Sequence, residues 1–205
     1  MPTERNTRAT DPGERIQSAA LRLFIKKGIT GTTTREIARK AGVSEGTIYN
    51  YFESKGDLAY RLFVRYMDEF RDVLSEKTSS VTGPEEKLSA AVRAFFGFAE
   101  KEPDAYAYIM IGHYTELRKM PYDKKKPRDI FVEIIGEGIR EGVFTDMDET
   151  LGAAFVIGMI TRAILFHTSG MLDMPYARLT EETAASSLKV LGFDYGQQPA
   201  GSAER

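Results

Sequence analysis

Between Thr33 and Lys55 the chain gathers side chains able to hold phosphate and to read the edges of bases. Thr33 and Thr34 place two hydroxyls at the start of a predicted helix, where unpaired backbone N–H groups also favour an anion. Further on, Ile48 and Phe52 lie four residues apart and turn inward, which leaves Thr47, Tyr49, Asn50 and Tyr51 to face outward or sideways. An asparagine so placed can pair bidentately with adenine, a discrimination of about 1–3 kcal/mol. Gly46 removes a side chain from the first turn of this second helix, so a nucleic-acid backbone can come close. This is the chemistry of recognition. Catalysis has little to work with: there is no cysteine, which excludes a thiol nucleophile, a disulfide framework and a thiolate zinc site. The two histidines, His113 and His167, leave few metal geometries open. No nucleophile–base arrangement, metal cluster or phosphate loop is visible, so the reading is of a non-enzyme without catalytic residues, metal or cofactor.

The elements that position these groups can be read from local signals. Thr33 with Glu36 three residues later forms a capping-box pattern, and Ile37, Ala38 and Ala41 make the apolar face of the helix it opens. Gly42 supplies a tight turn, Val43 anchors it, and Ser44 caps the next helix, from about Glu45 to Tyr51. Before this pair, Ile16, Ala19, Ala20, Leu23 and Phe24 recur at helical spacing from about Asp11 to Lys27, with Gly28 ending the helix. Phe24, Ile37, Val43, Ile48 and Phe52 form the expected core of this three-helix head. Ser54 then caps a long helix from Lys55 to about Lys77, in which Leu58, Leu62, Tyr66 and Phe70 recur every four residues. Two helices joined by a short glycine turn in this way form a helix-turn-helix.

Residues from about Glu14 to Phe63 resemble the DNA-binding domain of the TetR family of transcriptional regulators, above all in the run Ala41 to Leu58, AGVSEGTIYNYFESKGDL. The resemblance covers about the first third of the chain; beyond residue 70 it extends only to length and helical character. It implies an all-α fold of about nine helices. An N-terminal three-helix helix-turn-helix domain (residues 11–54, after an arm 1–10) would join a C-terminal helical ligand-binding and dimerisation domain (55–195) and a frayed tail (196–205). It also implies DNA contacts from Thr33, Thr34, Ser44, Glu45, Gly46, Thr47, Tyr49, Asn50, Tyr51 and Lys55. Thr47, Tyr51 and Lys55 are expected at phosphates, and Tyr49 or Asn50 at base edges. Glu45 departs from the family pattern; it either favours the positive helix N-terminus or accepts from cytosine N4. Arg5 and Arg8 of the arm are further candidates for phosphate or the minor groove.

Charge supports a head with a different partner from the body. Residues 1–65 hold 12 Lys+Arg against 7 Asp+Glu, leaving 16 against 23 of the totals 28 and 30 for the rest. A basic head on an acidic body fits a phosphate-binding module joined to a domain that does not touch DNA. No apolar run reaches the length needed to span a bilayer, and residues 1–15 lack the apolar core of a signal peptide, so no membrane partner and a cytoplasmic location are expected.

The body reads as helices throughout. Thr82 is the expected cap of a helix over Pro84–Lys101, and Pro103 opens another to about Arg118. After a loop carrying Lys124, Lys125 and Lys126, read as solvated, helix resumes from about Arg128 to Glu141. Asp146 with Glu149 is a capping-box pattern opening a nearly all-apolar helix, and Thr180 is the expected cap of the last one, to about Leu191. Phe95, Phe98, Tyr106, Met110, His113, Tyr114, Phe131, Met159 and Phe166 are candidates to line a pocket, apolar with a few polar tips, for a small apolar or amphipathic effector. The last two helices are the expected homodimer interface, through Ala153, Phe155, Ile157, Ile160, Ile164, Leu188 and Leu191, because a helix apolar on all sides must be buried. Two-fold symmetry would match a palindromic double-stranded operator. The resulting expectation is a ligand-responsive regulator, a repressor released from its operator by the effector. The alternative keeps DNA binding but gives the body only a protein partner or dimerisation, with no small-molecule inducer.

Overall fold

In a computed structural model of the chain, residues 11–113 and 115–193 are described. They form nine α-helices and no strand: α1 Pro12–Lys27, α2 Thr34–Ala41, α3 Glu45–Tyr51, α4 Lys55–Ser79, α5 Pro84–Lys101, α6 Pro103–Gly112, α7 Pro127–Arg140, α8 Glu149–Thr168 and α9 Tyr176–Val190, with a short 3-10 turn at Leu117–Lys119. The all-α reading holds. The expected arm, the tail and Tyr114 lie outside the described residues.

The helices sort into two compact units. One takes the described residues up to Met67 together with Glu102–Lys124; the other takes Asp68–Lys101 and the described residues from Lys125 on. In the first, α1 packs on α2, α3 and α6. Ile16, Phe24, Ile37, Ile48, Leu58, Leu62 and Phe63 are fully buried there, each worth about 1.5–3 kcal/mol of apolar transfer. Val43, expected in this core, is only half-buried. In the second unit α5 packs on α7, α8 and α9, and α8 lies on α7 and α9. Leu88, Val92, Phe131, Ile135, Val156, Ile160 and Leu191 form its core.

Several boundaries differ from the sequence reading. α6 stops at Gly112, six residues before Arg118. A Cβ at Gly112 would lie 2.7 Å from the Phe63 ring, so only glycine lets α6 approach α4 there. The Thr115 and Glu116 amides then turn back to the Gly112 carbonyl. Helix α8 is capped by Asp148, whose carboxylate accepts the Leu151 amide at 2.8 Å, rather than by Asp146. Helix α9 starts four residues before Thr180, and the Thr180 hydroxyl donates to the Tyr176 carbonyl (3.0 Å) from inside the helix. Gly83, with φ +79°, rather than Thr82, precedes α5. Lys126 is buried rather than solvated, its amide donating to Asp129 at 2.7 Å, and Lys125 pairs with Glu133. Finally, α8 is long and apolar enough to cross a bilayer, with mean hydropathy 1.6, contrary to the sequence reading. Its Ala153, Val156, Ile160 and Ile164 are nonetheless buried inside the second unit.

Candidate nucleic-acid interface

The supporting helix α2 begins with the reciprocal bonds its sequence calls for. The Thr33 hydroxyl accepts the Glu36 amide (3.2 Å), and the Glu36 carboxylate accepts the Thr33 amide (3.0 Å). Lys27 of α1 donates to the same carboxylate at 2.5 Å. The Lys27 bond, then the Thr33 amide and hydroxyl, hold the Glu36 carboxyl down at about 2. Gly42 ends α2 in the left-handed region (φ 66°, ψ 39°), and Arg15 of α1 donates to the Ala41 carbonyl at 3.2 Å. Both ends of α2 are thereby fastened to α1.

Helix α3 is short and stands outward. Ser44 Oγ accepts the Thr47 amide at 3.1 Å and lies 2.7 Å from Thr47 Oγ1. Ile48 is the one residue of α3 that is fully buried. Tyr49 is 53% exposed, Glu45, Gly46 and Asn50 are exposed, and Thr47 is half-buried. A Cβ at Gly46 would meet only Ser44 Oγ, at 3.8 Å, so the chain's own packing does not demand glycine there.

Besides Thr33, Ser44 and Thr47, four more of the expected DNA contacts are already engaged within the head: Tyr51, Lys55, Thr34 and Glu45. The Tyr51 hydroxyl donates to Asp11 at 3.3 Å, beside the Asp11 bond that caps α1, and its ring lies over Gly13. Partial burial, and then the Asp11 charge, push the Tyr51 phenol above its ordinary value. Lys55 donates to the Thr32 carbonyl at 2.6 Å, on the turn leading into α2. Thr34 donates its hydroxyl to the Glu45 carboxylate. Ser54 Oγ accepts the Asp57 amide (3.0 Å) and so caps α4, as expected.

Sequence reasoning passed over Arg35, Arg39 and Lys40. All three are exposed on α2, and none makes an ion pair among the described residues. Arg35 and Arg39 border a cleft of about 530 Å³ between α2 and α3, together with Thr33, Glu36, Ala38, Val43 and Glu45. Their signal was present: basic residues at i and i+4 on the polar face of an amphipathic helix beside the turn.

The expected effector residues divide between the units. Tyr106, Met110 and His113 belong to the first, the other described ones to the second. Tyr106 and Met110 are half-buried, and burial pushes the Tyr106 phenol up to about 12. His113 follows the last residue of α6 and is exposed. In the second unit the rings pack on one another: Phe70 lies 4.7 Å from both Phe95 and Phe98, and Phe95 lies 6.3 Å from Phe131. Met159 and the exposed Phe166 line a groove of about 670 Å³ between α8 and α9. Of the expected dimer residues, Ala153, Ile160, Ile164, Leu188 and Leu191 are buried in their own unit, Ile157 is half-buried, and Phe155 is 45% exposed. The apolar surface α8 leaves uncovered runs instead through Leu151, Phe155, Leu165 and Phe166.

The family model described as "Bacterial regulatory proteins, tetR family" matches residues 16–62. KstR2 of Mycobacterium tuberculosis, an HTH-type transcriptional repressor, is 29% identical over 155 residues, covering 70% of this chain and 74% of its own length. The crystal structure of FadR from Bacillus subtilis in complex with stearoyl-CoA matches with a TM-score of 0.68 at 22% identity, over 85% of this chain and 97% of that one. The structure of AibR in complex with isovaleryl coenzyme A and operator DNA matches with a TM-score of 0.69 at 19% identity, over 86% and 97%. At these identities the two structures speak to the fold.

Proposed function

The chain belongs to the tetR family of bacterial regulatory proteins, and from that premise we propose that it is a ligand-responsive repressor acting in the cytoplasm. In this reading a homodimer binds a near-palindromic operator through α3 and leaves it when an amphipathic effector occupies the helical body. The observation that carries the DNA-binding half is the outer surface of α3, where Glu45, Gly46, Tyr49 and Asn50 stand exposed while Ile48 alone is fully buried. Arg35, Arg39 and Lys40 supply phosphate contacts beside it, and Thr47 and Lys55 sit at the flanks. Lys55 and Tyr51 also brace the head, through Thr32 and Asp11.

The ligands of FadR and AibR, stearoyl-CoA and isovaleryl coenzyme A, support an acyl thioester as effector: an apolar tail with a polar, anionic head. Release requires that the effector favour one conformation. Shifting a two-state equilibrium from 1:99 to 99:1 takes about 10⁴-fold differential affinity. The dimer reading rests on α8, which has a mean hydropathy of 1.6 yet only 28% of that stretch buried. Its uncovered face, through Leu151, Phe155 and Leu165, is the surface a second copy would cover.

One observation favours the other reading, in which the body dimerises or binds a protein and no inducer exists. Phe95, Phe98 and Phe131 are fully engaged with neighbouring rings, so those aromatics are consumed by packing. Selection of binding sites from random duplexes tests the shared DNA-binding claim. The protein is expected to enrich a two-fold symmetric site, and Tyr49→Ala is expected to bind it at least about ten-fold more weakly while remaining dimeric. Unchanged binding by Tyr49→Ala would remove α3 from the interface.

A further inference from the structure

Glu45 sets a puzzle for a surface that faces DNA. It is the first residue of α3, it is exposed, and its carboxylate carries the charge that phosphates repel. Yet the structure holds it in place: the Thr34 hydroxyl, from the first residue of α2, donates to Glu45 Oε1. Thr34 thereby gives to a carboxylate the side-chain donor that it could have offered to a phosphate. The second carboxylate oxygen has no partner among the described residues.

Resting on the DNA-binding reading above, we propose that Glu45 is a specificity-determining residue that accepts a hydrogen bond from the exocyclic amine of a cytosine, and that Thr34 is its positioning residue. The N-terminal residues of a recognition helix are those that meet base edges in the major groove. Each base edge then answers differently to a fixed, acceptor-only group. Guanine offers N7 and O6 and thymine offers O4, all acceptors, so both are repelled. Adenine offers its N6 amine beside an acceptor, N7, whereas cytosine offers its N4 amine with no competing acceptor in the groove. A tethered carboxylate therefore selects cytosine partly by rejecting the other three, which is how specificity gains from repulsion. Tethering matters because a free glutamate would swing away from the DNA, toward Arg35 or Arg39 across the cleft that they share.

The test is binding-site selection with the full-length protein and four variants, Glu45→Gln, Glu45→Ala, Thr34→Val and Thr34→Ser, each followed by affinity measurement at one fixed salt concentration. The wild type is expected to require cytosine at one symmetric position per half-site, preferring it by about ten-fold or more. Glu45→Gln should admit adenine at that position alone, since an amide both donates and accepts. Glu45→Ala should lose the preference there and bind non-cytosine sites more tightly than the wild type does. Thr34→Val should weaken the same preference several-fold, and Thr34→Ser, which keeps the hydroxyl, should restore it. The proposal is overturned if Glu45→Ala and Glu45→Gln select the wild-type site unchanged, or if they weaken all sequences alike. It is equally overturned if Thr34→Ser behaves like Thr34→Val. Failure of the wild type to select any duplex would instead overturn the DNA-binding reading on which the proposal rests.

Discussion

The Tyr108 hydroxyl donates a 2.9 Å hydrogen bond to the main-chain carbonyl of Ala59, joining α6 to the beginning of α4. The Tyr108 ring stacks on Phe24 of α1 at 6.0 Å and meets Tyr66 edge-on at 6.4 Å. Burial, followed by the charge of Glu116, raises its phenol above the ordinary value, so it remains a donor throughout the working pH range. A helix from the middle of the chain is thus built into the same unit as the helix-turn-helix. Tyr108→Phe keeps the ring and deletes the donor. It is expected to lower stability by about 1–2 kcal/mol, read as a fall in the urea midpoint with an unchanged slope. An unchanged midpoint would mean that the bond contributes nothing to holding α6.

Glu36 predicts an acid-dependent loosening of the same unit. Its carboxyl sits at about 2, against an ordinary value of 4.5, because Lys27 and Thr33 favour the ionised form. A depressed folded value means that the stabilisation is fully present above about pH 4.5 and is lost as pH falls toward 2. Glu36→Gln should therefore flatten the stability profile between those limits while changing little of its shape at higher pH. A wild-type profile already flat in that window would contradict the assignment.

The head was legible because its signals are local. Thr33 with Glu36, Ser44 and Gly42 act within four residues of themselves, and α3 spans Glu45–Tyr51 as its sequence indicates. What escaped depends on residues far away in the chain. The need for glycine at the end of α6 comes from the Phe63 ring against it, and the fit of α6 onto α4 from the Tyr108 bond to Ala59. Lys55 resembles a free phosphate ligand until the Thr32 carbonyl is placed beside it. The aromatic run in the body has the same spacing whether its rings line a space or fill one, and Phe70 fills it against Phe95 and Phe98. Helix starts with competing cap residues, Asp146 and Asp148, were decided by which side chain reaches a free amide.

Lys55 is expected to show two effects at once. Lys55→Ala removes a donor from the Thr32 carbonyl, costing about 1 kcal/mol of stability. On the proposed interface it also removes one phosphate-contacting cation, so the slope of log affinity against log salt should become shallower by about one contact, equally for all sequences. Denaturant unfolding and salt titration separate the two. A changed base preference would mean that Lys55 touches bases.

Phe155 tests the proposed dimer surface. It stands on the uncovered face of α8 without belonging to the core of its own unit, unlike Ile160 and Ile164. Phe155→Asp should leave the fold intact by circular dichroism and yield monomers in sedimentation, with operator affinity falling at least about ten-fold as the two-fold pairing is lost. A variant that remained dimeric would place the interface elsewhere.

The most direct test of the central claim is an operator-release titration. Purified protein bound to its selected duplex, at one fixed salt concentration, is titrated with acyl-CoA thioesters of short to long chain, with free coenzyme A as the control. The account predicts that one chain-length class releases the DNA at concentrations where free coenzyme A does not. Tight operator binding that no acyl thioester weakens would contradict acyl-thioester induction and favour a body that only dimerises or binds a protein.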